Sequence, residues 1–195
     1  MYKELFHILL MLVTDTRGAW VKLAQKEEND RELLARFVYP LIGLVALAAF
    51  AGVFFSEENF QLEYALKRSV KAAVSYFGGF HLAAYALNEM RRGFFDAGNE
   101  PKPCRAFTAY ASAPMFALYI LLSILPILPL ADFFLLRLLV LYLYIGYIVW
   151  QGASIFLKIP GRQRATFTAL ATLWVVAAPE LIHALLFLLM PGMRL

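Results

Sequence analysis

The sequence is short of charge. Asp, Glu, Lys and Arg make up 16% of its 195 residues, against about a quarter in an ordinary soluble domain. It has one cysteine, Cys104, which excludes an internal disulfide and any cysteine-based metal site. It has three histidines, at positions 7, 81 and 183. There is no phosphate-cradling glycine loop, no nucleophile elbow and no serine-histidine-aspartate arrangement, so enzymatic chemistry has little to stand on.

Apolar residues fill the space instead, at 62% of the chain with a mean hydropathy of +0.65. Crossing about 30 Å of hydrocarbon takes roughly 20 helical residues, and stretches of that order occur at about 37–55, 70–87, 107–130, 133–157 and 165–190. Runs such as "ALYILLSILPILPL" and "LLRLLVLYLYIGYIVW" are continuously apolar, unlike the alternating strands of a membrane barrel. The expected fold is therefore all-α: one membrane domain, 37–195, of five transmembrane helices, preceded by an interfacial amphipathic segment at 1–36. Within that segment the apolar run 5–13 lacks a small-residue cleavage site and is too short to span, so it is expected to lie on the leaflet surface. Thr14, Asp15 or Thr16 is placed to cap the helix that follows. Trp20, beside Lys22 and Lys26, suits the headgroup zone.

Orientation follows from the basic residues. Thirteen of the eighteen Lys and Arg fall in 1–36 and in the second and fourth loops, and five on the opposite side. This predicts a cytoplasmic N-terminus and an outside C-terminus. The formal charge of +4 reflects that bias and gives no sign of a nucleic-acid partner. In the second loop, Arg91, Arg92, Lys102 and Arg105 form a candidate site for anionic lipid headgroups.

Small and polar residues recur at helical spacing, and in lipid such stripes mark faces turned toward other helices. The first span has Gly43, Ala46, Ala49 and Gly52, a face suited to close packing or self-association. The second has Gly78, His81, Tyr85 and Asn88, the third Thr108, Ser112, Tyr119 and Ser123, and the fourth Tyr144, Tyr147, Gln151 and Ser154. The fifth has Thr168, Thr172, Glu180 and His183. The last two belong to "PELIH", and each admits three uses. Glu180 and His183 can satisfy each other and polar neighbours such as Tyr85 or Gln151, fixing the packing. They can form a proton or ion pathway with His81, since ionisable groups within spans are costly and usually functional. They can also hold a metal with His81 and Asn88, although the second Glu-x-x-His copy of a di-iron bundle is missing.

Three longer stretches carry a resemblance. "TDTRGAWVKLAQKEENDRELLARFVYPLIGL", with its tryptophan-containing helix and the pair Tyr39-Pro40, "GFFDAGNEPKPCRAFTAYASAP", with Tyr110 and Pro114, and "LYIGYIVWQGASIFLKIPGRQRATFTA" are similar to segments of bacterial members of the Yip family, the Ypt/Rab-interacting membrane proteins. The resemblance implies five spans, a cytoplasmic N-terminus and a non-catalytic role in membrane organisation or as an adaptor, without a cofactor. Other membrane proteins are the partners this implies, beside the lipids expected at the basic loop and a second copy expected at the small-residue face of the first span. Eukaryotic relatives carry a long polar N-terminal region, whereas here about 36 residues precede the first span. The departure favours a prokaryotic inner-membrane protein and weighs against GTPase binding. The alternatives are a small transporter or ion-conducting subunit using Glu180, His183 and His81 and, more distantly, a metal-dependent membrane enzyme.

Overall fold

The computed structural model describes residues 2–26, 29–56, 61–95, 101–125 and 134–189, and among them there is no strand. The helices are α1 (Tyr2–Thr14), α2 (Thr16–Ala24), α3 (Asp30–Leu33), α4 (Tyr39–Ala51), α5 (Val53–Ser56), α6 (Leu62–Phe95), α7 (Pro101–Ile124), α8 (Phe134–Ile155) and α9 (Gly161–Leu189). Among the described residues, Asp30–Phe55, Pro103–Ile124 and Gly161–Leu189 are long and apolar enough to cross a membrane. The longest helix, α6, is not among them, because Lys71, Ser75, Gly78, Gly79 and His81 dilute its apolar content. The expected end of the third span, 126–130, and the start of the fourth at 133 lie outside the described residues.

The first of these spans starts earlier than the pair Tyr39-Pro40 suggested. Helix begins at Asp30 and runs into α4 through a π-turn, Leu34–Val38. Proline supplies no N–H to the carbonyl four residues back, here Arg36, and its ring crowds that carbonyl. One wider turn absorbs the mismatch and lets the helix continue.

Packing is decided by close approaches rather than by large side chains alone. Helix α6 lies against α4, α7 and α9, while α8 lies against α9 and α2. A Cβ on Gly79 would stand 2.6 Å from the Cα and N of Pro179, and one on Gly78 3.3 Å from Ile182. The α6–α9 crossing therefore brings backbone to backbone, which an alanine at 79 would forbid. At the other end of α4, a Cβ on Gly52 would stand 2.3 Å from the Ser123 carbonyl oxygen. Gly52 and Ala49 are thus spent inside the bundle, Ala46 accepts a hydrogen bond from the Ser69 hydroxyl (2.9 Å), and Gly43 faces open space. The first-span stripe is divided between neighbours rather than presented as one free face.

Hydroxyls in the third helix do turn inward. Thr108, Ser112 and Ser123 are buried, and Thr108 and Ser112 donate to carbonyls of their own helix, Cys104 at 2.7 Å and Ala109 at 3.3 Å. Back-bonding of this kind lets a polar residue sit in an apolar interface without a partner on another helix.

Candidate functional site

The end of the bundle that carries Arg91, Arg105 and Arg164 is closed by α1 and α2. Asp15 caps α2, its side chain accepting from the Gly18 amide at 3.0 Å. Its choice over Thr14 and Thr16 is physical, since their hydroxyls already donate to the Leu10 and Leu12 carbonyls at 2.8 and 2.7 Å. From this start, Thr16, Ala19, Trp20 and Leu23 face inward.

Trp20 is wholly buried, which corrects its expected place among lipid headgroups. Its indole stacks on Phe107 at 5.1 Å between ring centroids, and meets Phe156 edge-on at 5.5 Å and Tyr110 at 6.3 Å. The Nε1–H donates to the Ile148 carbonyl at 3.0 Å, so the one polar atom of the ring is satisfied inside. Space for the ring comes from Gly152, where a Cβ would stand 2.5 Å from the indole and 2.8 Å from Phe107. One turn along, Arg164 donates from Nε and Nη2 to the Trp150 carbonyl at 3.0 and 2.7 Å and lies over the Trp150 ring at 4.1 Å. This ties the start of α9 to α8.

Helix α1 is apolar on two sides. Leu5, Ile8 and Leu12 are buried, while Phe6, Leu10 and Val13 are 66%, 49% and 53% exposed. Those three are spaced i, i+4, i+7, a single stripe. Glu4 and Lys26 pair at 2.6 Å and tie α1 to the chain beyond α2. The hydrogen bond from Lys26 and its positive charge hold the Glu4 carboxyl below the usual carboxylate range.

The basic residues of the second loop do not form one cluster. Arg105 donates to Asp30 at 2.8 Å, Arg92 pairs with Glu89 at 3.1 Å, and Arg91 lies within hydrogen-bonding reach of the Cys104 thiol, with Nε and Nη1 buried and no hydrogen-bond partner. The side chain of Lys102 lies outside the described residues. Two of the four are therefore committed to partners within the chain.

The intramembrane polar residues are likewise dispersed. Gly78 and Gly79 meet α9, while the His81 ring stands against Phe77 at 4.6 Å and Phe80 at 5.0 Å on its own helix. Tyr85 is 66% exposed, and Asn88 and Gln151 are half-buried. Glu180 and His183 lie on the exposed side of α9, because Pro179 and Ile182 take the contact with α6. The Lys71 ammonium of α6 and the Glu180 carboxylate both act electrostatically on the His183 ring, and no group of three or more His, Cys, Asp or Glu is gathered among the described residues. The set Glu180, His183 and His81 is thus not brought together.

Sequence reasoning missed Asp30 and Gly152, whereas the pair Gly78-Gly79 reads in the sequence as a close helix contact and is one. Gly152 carried the same signal, a glycine inside an otherwise apolar helical run, where a close approach is the usual reason.

An all-helical bundle of this length and apolarity, closed at one end by a docked pair of short helices, defines a membrane protein of the small multi-span kind. The chain belongs to the Yip family: the Yip1 domain matches residues 10–192, which takes in everything from the end of α1 through α9. No curated protein and no solved structure matches it.

Proposed function

We propose that this Yip-family protein is a non-catalytic organiser of the membrane, acting on the lipid bilayer and as an adaptor for other membrane proteins. It would reside in a prokaryotic inner membrane with five spans, a cytoplasmic N-terminus and an outside C-terminus. The observation that carries the reading is the stripe Phe6, Leu10 and Val13, exposed on a helix whose opposite face is fastened to the bundle. A free amphipathic helix binds the interface by its own burial alone. Here the clamp at Trp20 holds α2, and with it α1, in one place, so the stripe meets the leaflet as a rigid shallow wedge. Each of its three side chains stands to gain about 1 kcal/mol on entering the acyl boundary. The bias of Lys and Arg toward the same end adds attraction to an anionic cytoplasmic leaflet.

Transport through Glu180, His183 and His81 would need these groups to share a path, and the packing of the His81 ring on Phe77 and Phe80 of its own helix, with Glu180 and His183 on the exposed side of α9, weighs against it.

Reconstitution into anionic vesicles tests the reading. Wild type is expected to remodel vesicles at high protein density, and the double variant Phe6→Ser/Leu10→Ser to insert and fold but lose that activity. Equal remodelling by both would remove α1 from the account.

A further inference from the structure

We propose that Lys71, with Arg68 beside it, holds the phosphate of an anionic phospholipid between α6 and α9, at the end of the bundle away from Trp20. The observation is a buried ammonium without a counter-ion. Lys71 is 8% exposed and lies on the side of α6 that meets α9. Arg68, Lys71, Ser75, Gly78 and Gly79 fall within about 100° of arc at 100° per residue, and the two glycines stand against Ile182 and Pro179. The Lys71 ammonium lies 5.9 Å from the centre of the Phe187 ring. Its neighbour Lys67 has the Glu63 carboxylate at 2.6 Å, whereas Lys71 has no carboxylate within ion-pair distance among the described residues. A buried cation matched only by a ring face is costly. One turn deeper, the Ser75 hydroxyl is buried with no hydrogen-bond partner.

Depth identifies the missing anion. Lys71 is twenty residues from Arg91 along α6, about 30 Å at 1.5 Å per residue, which is the thickness of the hydrocarbon core. Phe187 stands a similar rise from Arg164 along α9. With the arginines at one headgroup level, Lys71 comes out at the other, where the anion always at hand is a lipid phosphate. Lysine binds phosphate as a point charge. Arg68, half-buried one turn outward, adds a second cation, so a lipid of net negative charge fits better than a zwitterion, whose own ammonium these cations repel. The Ser75 hydroxyl, one turn toward the membrane centre, is placed to donate to an ester carbonyl of the same lipid, just below its phosphate. This site lies at the other end of the bundle from the α1 stripe and does not depend on it.

The test is thermal unfolding of the full chain in a neutral detergent as phosphatidylglycerol is titrated in, with native mass spectrometry of the lipid-bound species. Wild type is expected to melt higher with the lipid and to retain phosphatidylglycerol in preference to diacylglycerol. Lys71→Met keeps an apolar stem and should weaken phosphatidylglycerol binding about tenfold, the loss of one charge-assisted hydrogen bond. Without lipid it should melt no lower than wild type, since it removes an unmatched buried charge. Lys71→Arg should retain the lipid, and Lys67→Met, at the lysine already paired, should leave binding unchanged. A lysine that only packs would do the reverse, with Lys71→Met lowering stability without lipid and responding to phosphatidylglycerol as wild type does. Where Lys71→Met does not fold, Arg68→Gln repeats the comparison: weaker binding supports the site and unchanged binding overturns it. The proposal is also overturned if Lys71→Met binds the lipid as wild type does, or if inorganic phosphate or diacylglycerol stabilises wild type as much as phosphatidylglycerol.

Discussion

Two regions of the molecule handle polarity in opposite ways. Around Trp20 an aromatic ring with a single N–H is drawn entirely inside, and its donor is satisfied by the Ile148 carbonyl. In the last third of α9 a carboxyl and an imidazole stay on the outside, with only each other and the Lys71 ammonium in electrostatic reach among the described groups. The difference lies in what the neighbouring backbone allows. Gly152 opens room for an indole and exposes a helix carbonyl beside it, whereas Pro179 presses against Gly79 and turns Glu180 and His183 away from that contact. Polarity alone does not decide which side of a membrane helix faces the bundle; the smallest residues do.

Removing the plug should produce the largest effect. Trp20→Ala deletes a fully buried ring together with its stacking on Phe107 and its hydrogen bond, a change that costs about 3–5 kcal/mol in well-packed cores. Because α2 touches α8 through this ring, the expected readout is a lower melting temperature in detergent with protease sensitivity confined to residues 1–29. Gly152→Ala approaches the same contact from the other side. It forces the indole and Phe107 apart and should cost about 1–3 kcal/mol. If the two variants affected different parts of the chain, the plug would not be the common cause.

How much of this was legible in the sequence depends on the physics behind each feature. The helical class and membrane character were readable because composition and length constrain them directly, and a cap among Thr14, Asp15 and Thr16 because capping is local; which of the three it is depends on the hydroxyl bonds of the two threonines. Trp20 misled because an amphipathic ring among lysines fits headgroups and a satisfied interior equally well. Only the distant carbonyl of Ile148, 128 residues away, distinguishes the two. The facing of the "PELIH" pair was open in the sequence for the same reason: the angular position of a residue on a helix is readable, but which arc the neighbours occupy depends on Gly78 and Gly79 on another helix.

The comparison sharpens at the α6–α9 crossing. Gly79→Ala places a methyl carbon against the Pro179 backbone, which has no flexible end to yield, and should cost about 1–3 kcal/mol. Gly43→Ala meets nothing within 4 Å and should be neutral or slightly stabilising, alanine being the better helix former by about 1 kcal/mol. Thermal melts of the two variants side by side give the check. Equal losses would mean that glycine is needed in these helices for some reason other than close approach.

The smallest expected effect belongs to the tie between α1 and the chain beyond α2. Lys26 holds the Glu4 carboxyl below the usual carboxylate range. A carboxyl whose value is depressed in the folded state stabilises above its unfolded value of about 4.3 and loses that contribution as pH falls through the folded value. Both side chains are substantially exposed, 53% for Glu4 and 36% for Lys26, so solvent screening keeps the pair below about 1 kcal/mol. Acidification through this window should therefore loosen α1 slightly, seen as faster hydrogen exchange of its amides, while the core around Trp20 is unchanged. Glu4→Gln should show the looser exchange already at neutral pH and little further change on acidification. Glu63 is a control with the same sign, its carboxyl held low by the hydrogen bond and charge of Lys67 on its own helix. Neutralising Glu63 should leave α1 exchange untouched, because a pair within one turn of α6 has no lever on a helix at the other end of the bundle.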